Sequence, residues 1–217
     1  MLTTASTASI RTGANRDRLP IGLLGVYLIL WSVLALQPVD RKDWLLENIL
    51  AVATVAVLVG TYKRFAFSDL SYVLLALFLI LHAVGAHYTY AKVPLGFWMK
   101  DAFDLSRNHY DRIVHFAFGL LLAYPAHDLF LRAGNLRKGW AIGMAALVVT
   151  ALSGLFEVIE SWVAQLTSPE LGDAYLGTQG DVWDAQKDMT MAIVGAAVTV
   201  VIMAGYQHER GMKCARP

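Results

Sequence analysis

The chain has few charged residues and only one cysteine. Asp, Glu, Lys and Arg make up 16% of its 217 residues, whereas 57% are hydrophobic. Soluble domains carry roughly 25% charged residues, so this chain lacks the polar surface of a soluble enzyme. The single cysteine, Cys214, excludes an internal disulfide framework and a thiolate metal cluster. The sequence also lacks a phosphate-binding glycine loop, a dinucleotide fingerprint, a Gly-x-Ser-x-Gly motif and a basic patch dense enough for nucleic acid.

Long uncharged segments dominate the chain instead. A helix that crosses the ~30 Å hydrocarbon core needs about 20 mostly apolar residues. Four segments have that character without a charged residue, and two shorter ones acquire it when each is extended across one acid. The six segments are 19–39, 44–62, 70–91, 113–131, 139–156 and 189–207. We therefore predict an all-α, polytopic integral membrane protein with six transmembrane helices in a single domain, residues 19–207.

The ends and the loops predict an orientation. Residues 1–18 are expected to be a disordered cytoplasmic tail, and residues 208–217 a second cytoplasmic tail. The side that holds both tails has 11 of the 18 Lys and Arg residues. Because basic residues favour the cytoplasmic side, we predict a multi-pass protein of a bacterial inner membrane with both termini inside. That side has only 4 of the 17 acids, an imbalance that insertion does not explain.

Acids and histidines gather instead at the predicted outer ends of three helices. Asp111 and His115 are four residues apart, and Glu157 and Glu160 are three apart, so each pair shares a helical face. Asp181, Asp184 and Asp188 form one stripe if the last helix begins near Asp181. The segments 92–108 and 171–181, which precede two of these helices, are expected to be loops.

Such a set of side chains suits a cation site with catalytic groups. Ionisable groups at membrane depth persist where they pair, line a wet cavity or bind ions. Oxygen ligands with imidazole and no sulfur favour Mg, Mn, Ca or Zn. We predict that the ligands of a divalent cation are His115, Glu157, Glu160, Asp181, Asp184 and Asp188. The predicted catalytic residues are His115, Asp111, Glu157 and His109. The predicted substrate-binding residues are Arg112, Lys187 and Trp183, the first two for an anionic headgroup.

Some of these residues also have structural interpretations. Asp181 and Asp184 can cap the last helix, and Trp183 can belong to an interfacial aromatic belt. His82, in the middle of an apolar helix, is expected to be a hydrogen-bonded core histidine. Small residues such as Gly195 are expected at helix–helix contacts.

Three stretches carry a resemblance to a known family. They are His109-Tyr-Asp-Arg-Ile-Val-His115-Phe, then Glu157-Val-Ile-Glu160-Ser-Trp162, and the loop pattern G-T-Q-G-D-x-W-D-x-Q-x-D-M from Gly177 to Met189. The chain resembles the YjdF-type family of bacterial inner-membrane proteins, a domain of unknown function, from about Trp44 to Gly205. The resemblance implies a six-helix membrane fold and a polar site built from Asp111, His115, Glu157, Asp181, Asp184 and Asp188. It implies no substrate.

A second resemblance is more distant. The order D-x-x-x-H-F, E-x-x-E and D-x-x-D is similar to that of VanZ-like membrane proteins, which usually have E-x-x-Q where this chain has Glu157 and Glu160.

Three functions agree with these features. The first is a metal-assisted hydrolase or transferase that acts on a lipid or lipid-linked substrate at the outer leaflet. The alternatives are an ion- or proton-coupled transporter that uses the same carboxylates, and a non-catalytic envelope accessory protein with a structural cation site. The bilayer is the predicted partner and nucleic acid is not. The sequence leaves open whether the protein is an enzyme and what its oligomeric state is.

Overall fold

The protein is helical throughout the part of the chain that the structure describes. A computed structural model describes the backbone of residues 17–214 and side chains up to residue 207. Nearly all of the predicted N-terminal tail, and the last three residues of the C-terminal one, lie outside the described residues. Within the described range there are eight helices: α1 (Arg18–Leu34), α2 (Arg41–Thr61), α3 (Asp69–His87), α4 (Pro94–Ala102), α5 (Tyr110–Arg132), α6 (Lys138–Leu166), α7 (Pro169–Leu176) and α8 (Asp184–Cys214).

The long helices account for the predicted membrane domain. Among the described residues, α2, α3, α5, α6 and α8 are long and apolar enough to span a membrane, and α1 is a shorter apolar helix of 17 residues. The predicted all-α polytopic fold is confirmed. Successive long helices alternate in direction, so α5 and α8 begin at the same end of the bundle as α3 and α6 finish. This end, which contains His87, Tyr110, Glu160 and Asp184, is called the acidic end below.

The helix boundaries differ from the uncharged segments in an informative way. Helix α2 begins at Arg41 because the Asp40 side chain accepts hydrogen bonds from the backbone N–H groups of Lys42 and Asp43, at 2.8 and 3.1 Å. Helix α6 continues to Leu166, so Glu157 and Glu160 lie inside it rather than at its end. Charged side chains are thus part of α2, α5, α6 and α8, which are longer than the corresponding uncharged segments, whereas α1 and α3 end before the segments 19–39 and 70–91 do.

The two segments that were expected to be loops are partly helical, which corrects the prediction. Helix α4 lies within residues 92–108, and α7 overlaps residues 171–181. Each begins with a proline, Pro94 and Pro169, whose fixed φ angle suits the first helical position. Gly172 lets α7 lie against the end of α6, because a Cβ at this position would be 2.8 Å from the Ala164 carbonyl oxygen.

Helices α5 and α8 are in direct backbone contact. A Cβ on Gly119 would lie 1.9 Å from the carbonyl oxygen of Ala192, and one on Gly195 would lie 2.2 Å from that of Phe116. Thr199 Oγ1 also donates a hydrogen bond to the Leu120 carbonyl, at 2.6 Å. Gly195 therefore lies at a helix contact, as predicted, and Gly119 is its counterpart on α5.

We expect this contact to control stability. Gly119→Ala and Gly195→Ala force the two helices apart and should each lower the free energy of unfolding by about 1–3 kcal/mol, the usual cost of overpacking. Thermal unfolding of the detergent-solubilised protein measures the effect. Gly143→Ala in α6, where a Cβ would meet nothing within 4 Å, is the matched control and should be neutral. Equal loss in all three variants would contradict the importance of the contact.

Candidate functional site

The predicted site residues come from three helices that meet at the acidic end. Helix α5 supplies Asp111 and His115, α6 supplies Glu157 and Glu160, and α8 supplies Asp184 and Asp188. All six side chains are largely buried; Asp188 is only 2% exposed. The Gly119–Gly195 contact explains the arrangement on α5 and α8, because the site residues of these helices lie about one to three turns from it.

Arg107 is the buried anchor of the site. Its guanidinium donates to the Asp184 carboxylate, to the Thr178 carbonyl at 2.6 Å and to the Gly177 carbonyl at 3.2 Å. Arg107 is 6% exposed and Asp184 is 5% exposed. One side chain therefore ties the segment before α5 to the loop before α8 and neutralises Asp184.

A second set of ion pairs lies nearer the surface. Arg112 Nη2 is 2.7 Å from Asp181 and 2.9 Å from Asp184, while Lys187 Nζ is 2.7 and 2.9 Å from the two oxygens of Asp181. The hydrogen bonds from Lys187, followed by those from the Trp183 backbone and Arg112, hold the pKa of Asp181 well below its usual range. Arg112 and Lys187, the predicted headgroup-binding residues, thus contact carboxylates of the chain itself.

The loop with the G-T-Q-G-D pattern has a structural role that its spacing did not reveal. Gly177 ends α7 with a left-handed φ of 59°, and Gln179 bonds both to the Asn108 N–H, at 3.1 Å, and to its carbonyl, at 2.9 Å. A Cβ on Gly177 would be 3.8 Å from Asp111 Oδ2. The pattern therefore fastens the loop beside the start of α5, next to Asp111.

Asp111, His115 and Asp188 form a group that is able to hold a metal ion. One ligand atom from each lies within 4.8 Å of the others. His115 Nε2 is 3.6 Å from Asp111 Oδ1 and 3.5 Å from Glu157 Oε1. Ligand bonds of about 2.0–2.2 Å place adjacent ligand atoms about 3.0–3.6 Å apart, so the distance from His115 to Asp111 fits neighbouring ligands of one cation.

Two carboxylate oxygens at this group have no hydrogen-bond partner in the part of the chain that the structure describes. Glu157 Oε1 and Asp188 Oδ1 are buried and have no hydrogen-bond partner among the described residues. A buried carboxylate without a partner is costly. Arg107 and Arg112 are already engaged with Asp184 and Asp181, so within the described part of the chain the remaining acids outnumber the basic side chains that face them. A bound proton or a cation would balance this surplus.

The other predicted site residues lie around this group. His109 immediately precedes α5, and its side chain does not cap the helix. Partial burial, together with Arg112 and Arg107, lowers the pKa of His109. Trp183 is 62% exposed and lies at the surface of the acidic end, a placement that suits an aromatic belt.

A cavity of about 400 Å³ extends from the acidic group into the bundle. Its polar end is formed by His82, Tyr90, Asp111, His115 and Glu160. Most of its remaining wall is apolar and comes from four helices, with Leu50 on α2, Phe78 on α3, Phe118 on α5, and Leu152 and Phe156 on α6. One cavity thus has acid–base groups at one end and a hydrophobic compartment in the rest.

Sequence reasoning missed two acids of this end. Asp43 and Glu47 on α2 are 1% and 4% exposed, and neither oxygen of Asp43 has a hydrogen-bond partner in the described structure. Their i, i+4 spacing at the start of an apolar helix was the available signal. His82 is hydrogen-bonded, as predicted: Nε2 donates to the Glu47 carbonyl at 3.1 Å, and Nδ1 accepts from the Tyr90 hydroxyl at 2.5 Å.

Comparisons with known proteins place the chain in a family. Residues 19–209 match the family described as "Predicted membrane protein (DUF2238)". The chain is also 39% identical to "Inner membrane protein YjdF" of Escherichia coli (strain K12) over 175 residues, which covers 80% of this chain and 83% of that protein. No solved structure matches the chain.

The chain therefore belongs to the DUF2238 family of membrane proteins. The family and the relative confirm both the resemblance to YjdF-type proteins and the predicted location, a multi-pass protein of the inner membrane. The orientation and the similarity to VanZ-like proteins stay predictions.

We expect Arg107 to be essential for the geometry of the site. Arg107→Met leaves two loop carbonyls without their buried donor and leaves Asp184 with Arg112 alone among the described basic side chains. Loss of one partner from a buried ion pair costs up to about 3–5 kcal/mol. Thermal unfolding in detergent measures this loss. Lys187→Met removes an ion pair with a half-exposed lysine and should be much milder. If the two variants were equally stable, the anchoring role of Arg107 would be wrong.

Proposed function

We propose that this DUF2238 protein is a metal-assisted hydrolase or transferase that acts on a lipid or lipid-linked substrate. The observation that carries the proposal is that Asp111 and His115, which form the metal-capable group together with Asp188, also line the apolar cavity. A soluble substrate has no need of a hydrophobic compartment inside the membrane, whereas a lipid uses both parts. With the predicted orientation, the reaction takes place at the outer leaflet.

The proposed role of each residue follows from its contacts. Asp111, His115 and Asp188 would hold the cation, which would polarise a phosphoryl or acyl oxygen and activate a water molecule. Glu157, 3.5 Å from His115 Nε2 and with one unpaired buried oxygen, is placed to accept a proton from that water. Arg107 and Arg112 fix Asp184 and Asp181, so these two acids support the arrangement rather than provide free ligand atoms.

The alternative of an ion- or proton-coupled carrier needs a polar route to the opposite end of the bundle. There, Asp128 accepts hydrogen bonds from the Ser68 N–H, at 2.8 Å, from the Ser71 hydroxyl, at 3.0 Å, and from Arg132, at 3.2 Å. An acid that accepts this many hydrogen bonds has a structural role. The cavity between the two ends is mainly apolar, which favours a lipid over a hydrated ion.

Metal binding is the first expected property. The wild-type protein in nanodiscs, loaded with Zn²⁺ or Mn²⁺ and then desalted, should retain about one ion per chain by elemental analysis. Asp188→Asn and His115→Gln should lose it, because each removes a ligand. Asp173→Asn, on the exposed side of α7, is the matched control and should retain the metal. A wild-type protein that binds no metal after loading would contradict the proposal.

Turnover separates an enzyme from a structural cation site. Wild-type protein in vesicles of bacterial lipid extract should release a lipid-derived product detectable by mass spectrometry. Glu157→Gln should bind the metal and lose about 10²–10⁴-fold in rate, the usual contribution of a general base. Glu170→Gln on α7 is the control and should stay active. Metal binding without any product would support the structural cation site, and Glu157-dependent ion uptake without product would support the carrier.

A further inference from the structure

The cavity has an opening on the side of the bundle. Leu50 on α2 and Leu152 and Leu155 on α6 line it, yet they are 40%, 46% and 50% exposed at the outer surface. Side chains that face the cavity and the exterior at once mark its mouth. Thr54, one turn further along α2 than Leu50, also lines the cavity and is exposed. These four residues are called the portal below.

The packing of the helices explains why the opening lies there. Helices α2 and α6 both line the cavity, but among the described helices they form no packed interface with each other. Helix α2 packs on α3, and α6 packs on α5 and α8. Of the described helices, only the short α7 packs on both α2 and α6, and it does so at the acidic end. Helix α7 therefore closes the gap at the acidic end. Further along the bundle the gap is open on its side, at a depth where lipid surrounds the protein.

The length of the cavity fits one leaflet. Along α5 it extends from Asp111 to Leu122, a distance of about 16 Å at 1.5 Å per residue. One leaflet contributes half of the hydrocarbon core, about 15 Å. The polar end with Asp111 and His115 would then lie at headgroup depth, and the apolar walls would follow the tail.

We propose that the portal admits one acyl chain of a membrane phospholipid from the bilayer, so that the lipid binds with its tail along Leu75, Phe78 and Phe118 and its headgroup at Asp111 and His115. This inference rests on the proposed function for the identity of the substrate class. The tail site itself depends only on the shape and the chemistry of the cavity. The lipid enters laterally and does not leave the membrane.

Photolabelling tests the tail site directly. The protein is reconstituted in metal-free nanodiscs with phosphatidylethanolamine that carries a diazirine in its acyl chain, and labelled peptides are identified by mass spectrometry after illumination. We expect label on the inner wall, at Phe78, Val114 and Phe118, which line this cavity. The portal variant Thr54→Trp/Leu155→Trp should lose this label. Ala53→Trp/Leu147→Trp, at exposed positions of the same two helices that do not line the cavity, should keep it.

The outcomes distinguish the tail site from the metal chemistry. Label on the inner wall of both the wild type and Asp188→Asn supports the tail site whatever the metal measurement gives. Label restricted to outward-facing residues, or inner-wall label that persists unchanged in the portal variant, would overturn it, even in a protein that binds metal. A crosslink between two copies of the chain across the portal would also overturn it, because another chain would then fill the gap.

Discussion

The site depends on the close approach of α5 and α8. Two glycines, Gly119 and Gly195, remove the side chains that would separate these helices, and backbone meets backbone. The first turns of both helices are consequently held side by side, which brings Asp111 and His115 next to Asp184 and Asp188. Without this contact, carboxylates at membrane depth would separate to reduce their repulsion. The packing of α5 on α8, a few turns from the acids, thus holds the acids together.

The arginines then divide the acids into two classes. Asp181 and Asp184 are paired with Arg107, Arg112 and Lys187, and they fasten the loop before α8 to the segment before α5. Asp111, Glu157 and Asp188 have no such full set of partners. In a medium of low dielectric constant the first class is stable as it stands, and the second is stable only with protons or a cation. The chemistry is expected from the second class.

The sequence predicted the helices better than the site, for physical reasons. Hydropathy locates a segment in the membrane, so the six apolar segments correspond to α1, α2, α3, α5, α6 and α8. Hydropathy does not locate the helix ends, because acids such as Glu157 and Asp43 lie inside helices and are buried among neighbouring ones. Which acid pairs with which arginine depends on relative depth and rotation. For that reason the sequence places Asp184 among the predicted metal ligands with Asp188, and its pairing with Arg107 is visible only in the structure.

The cavity could not be predicted at all, since it lies between α2 and α6, which form no packed interface in the described structure. Leu50 and Leu152 look like ordinary membrane-facing residues in the sequence, and only the structure shows that both line this cavity. The same absence bears on the choice between chemistry and transport. A carrier needs two polar openings, whereas this space is polar at one end and apolar at its side. The hydrogen-bonded Asp128 lies at the opposite end, which supports the proposal of a lipid site over that of a passage.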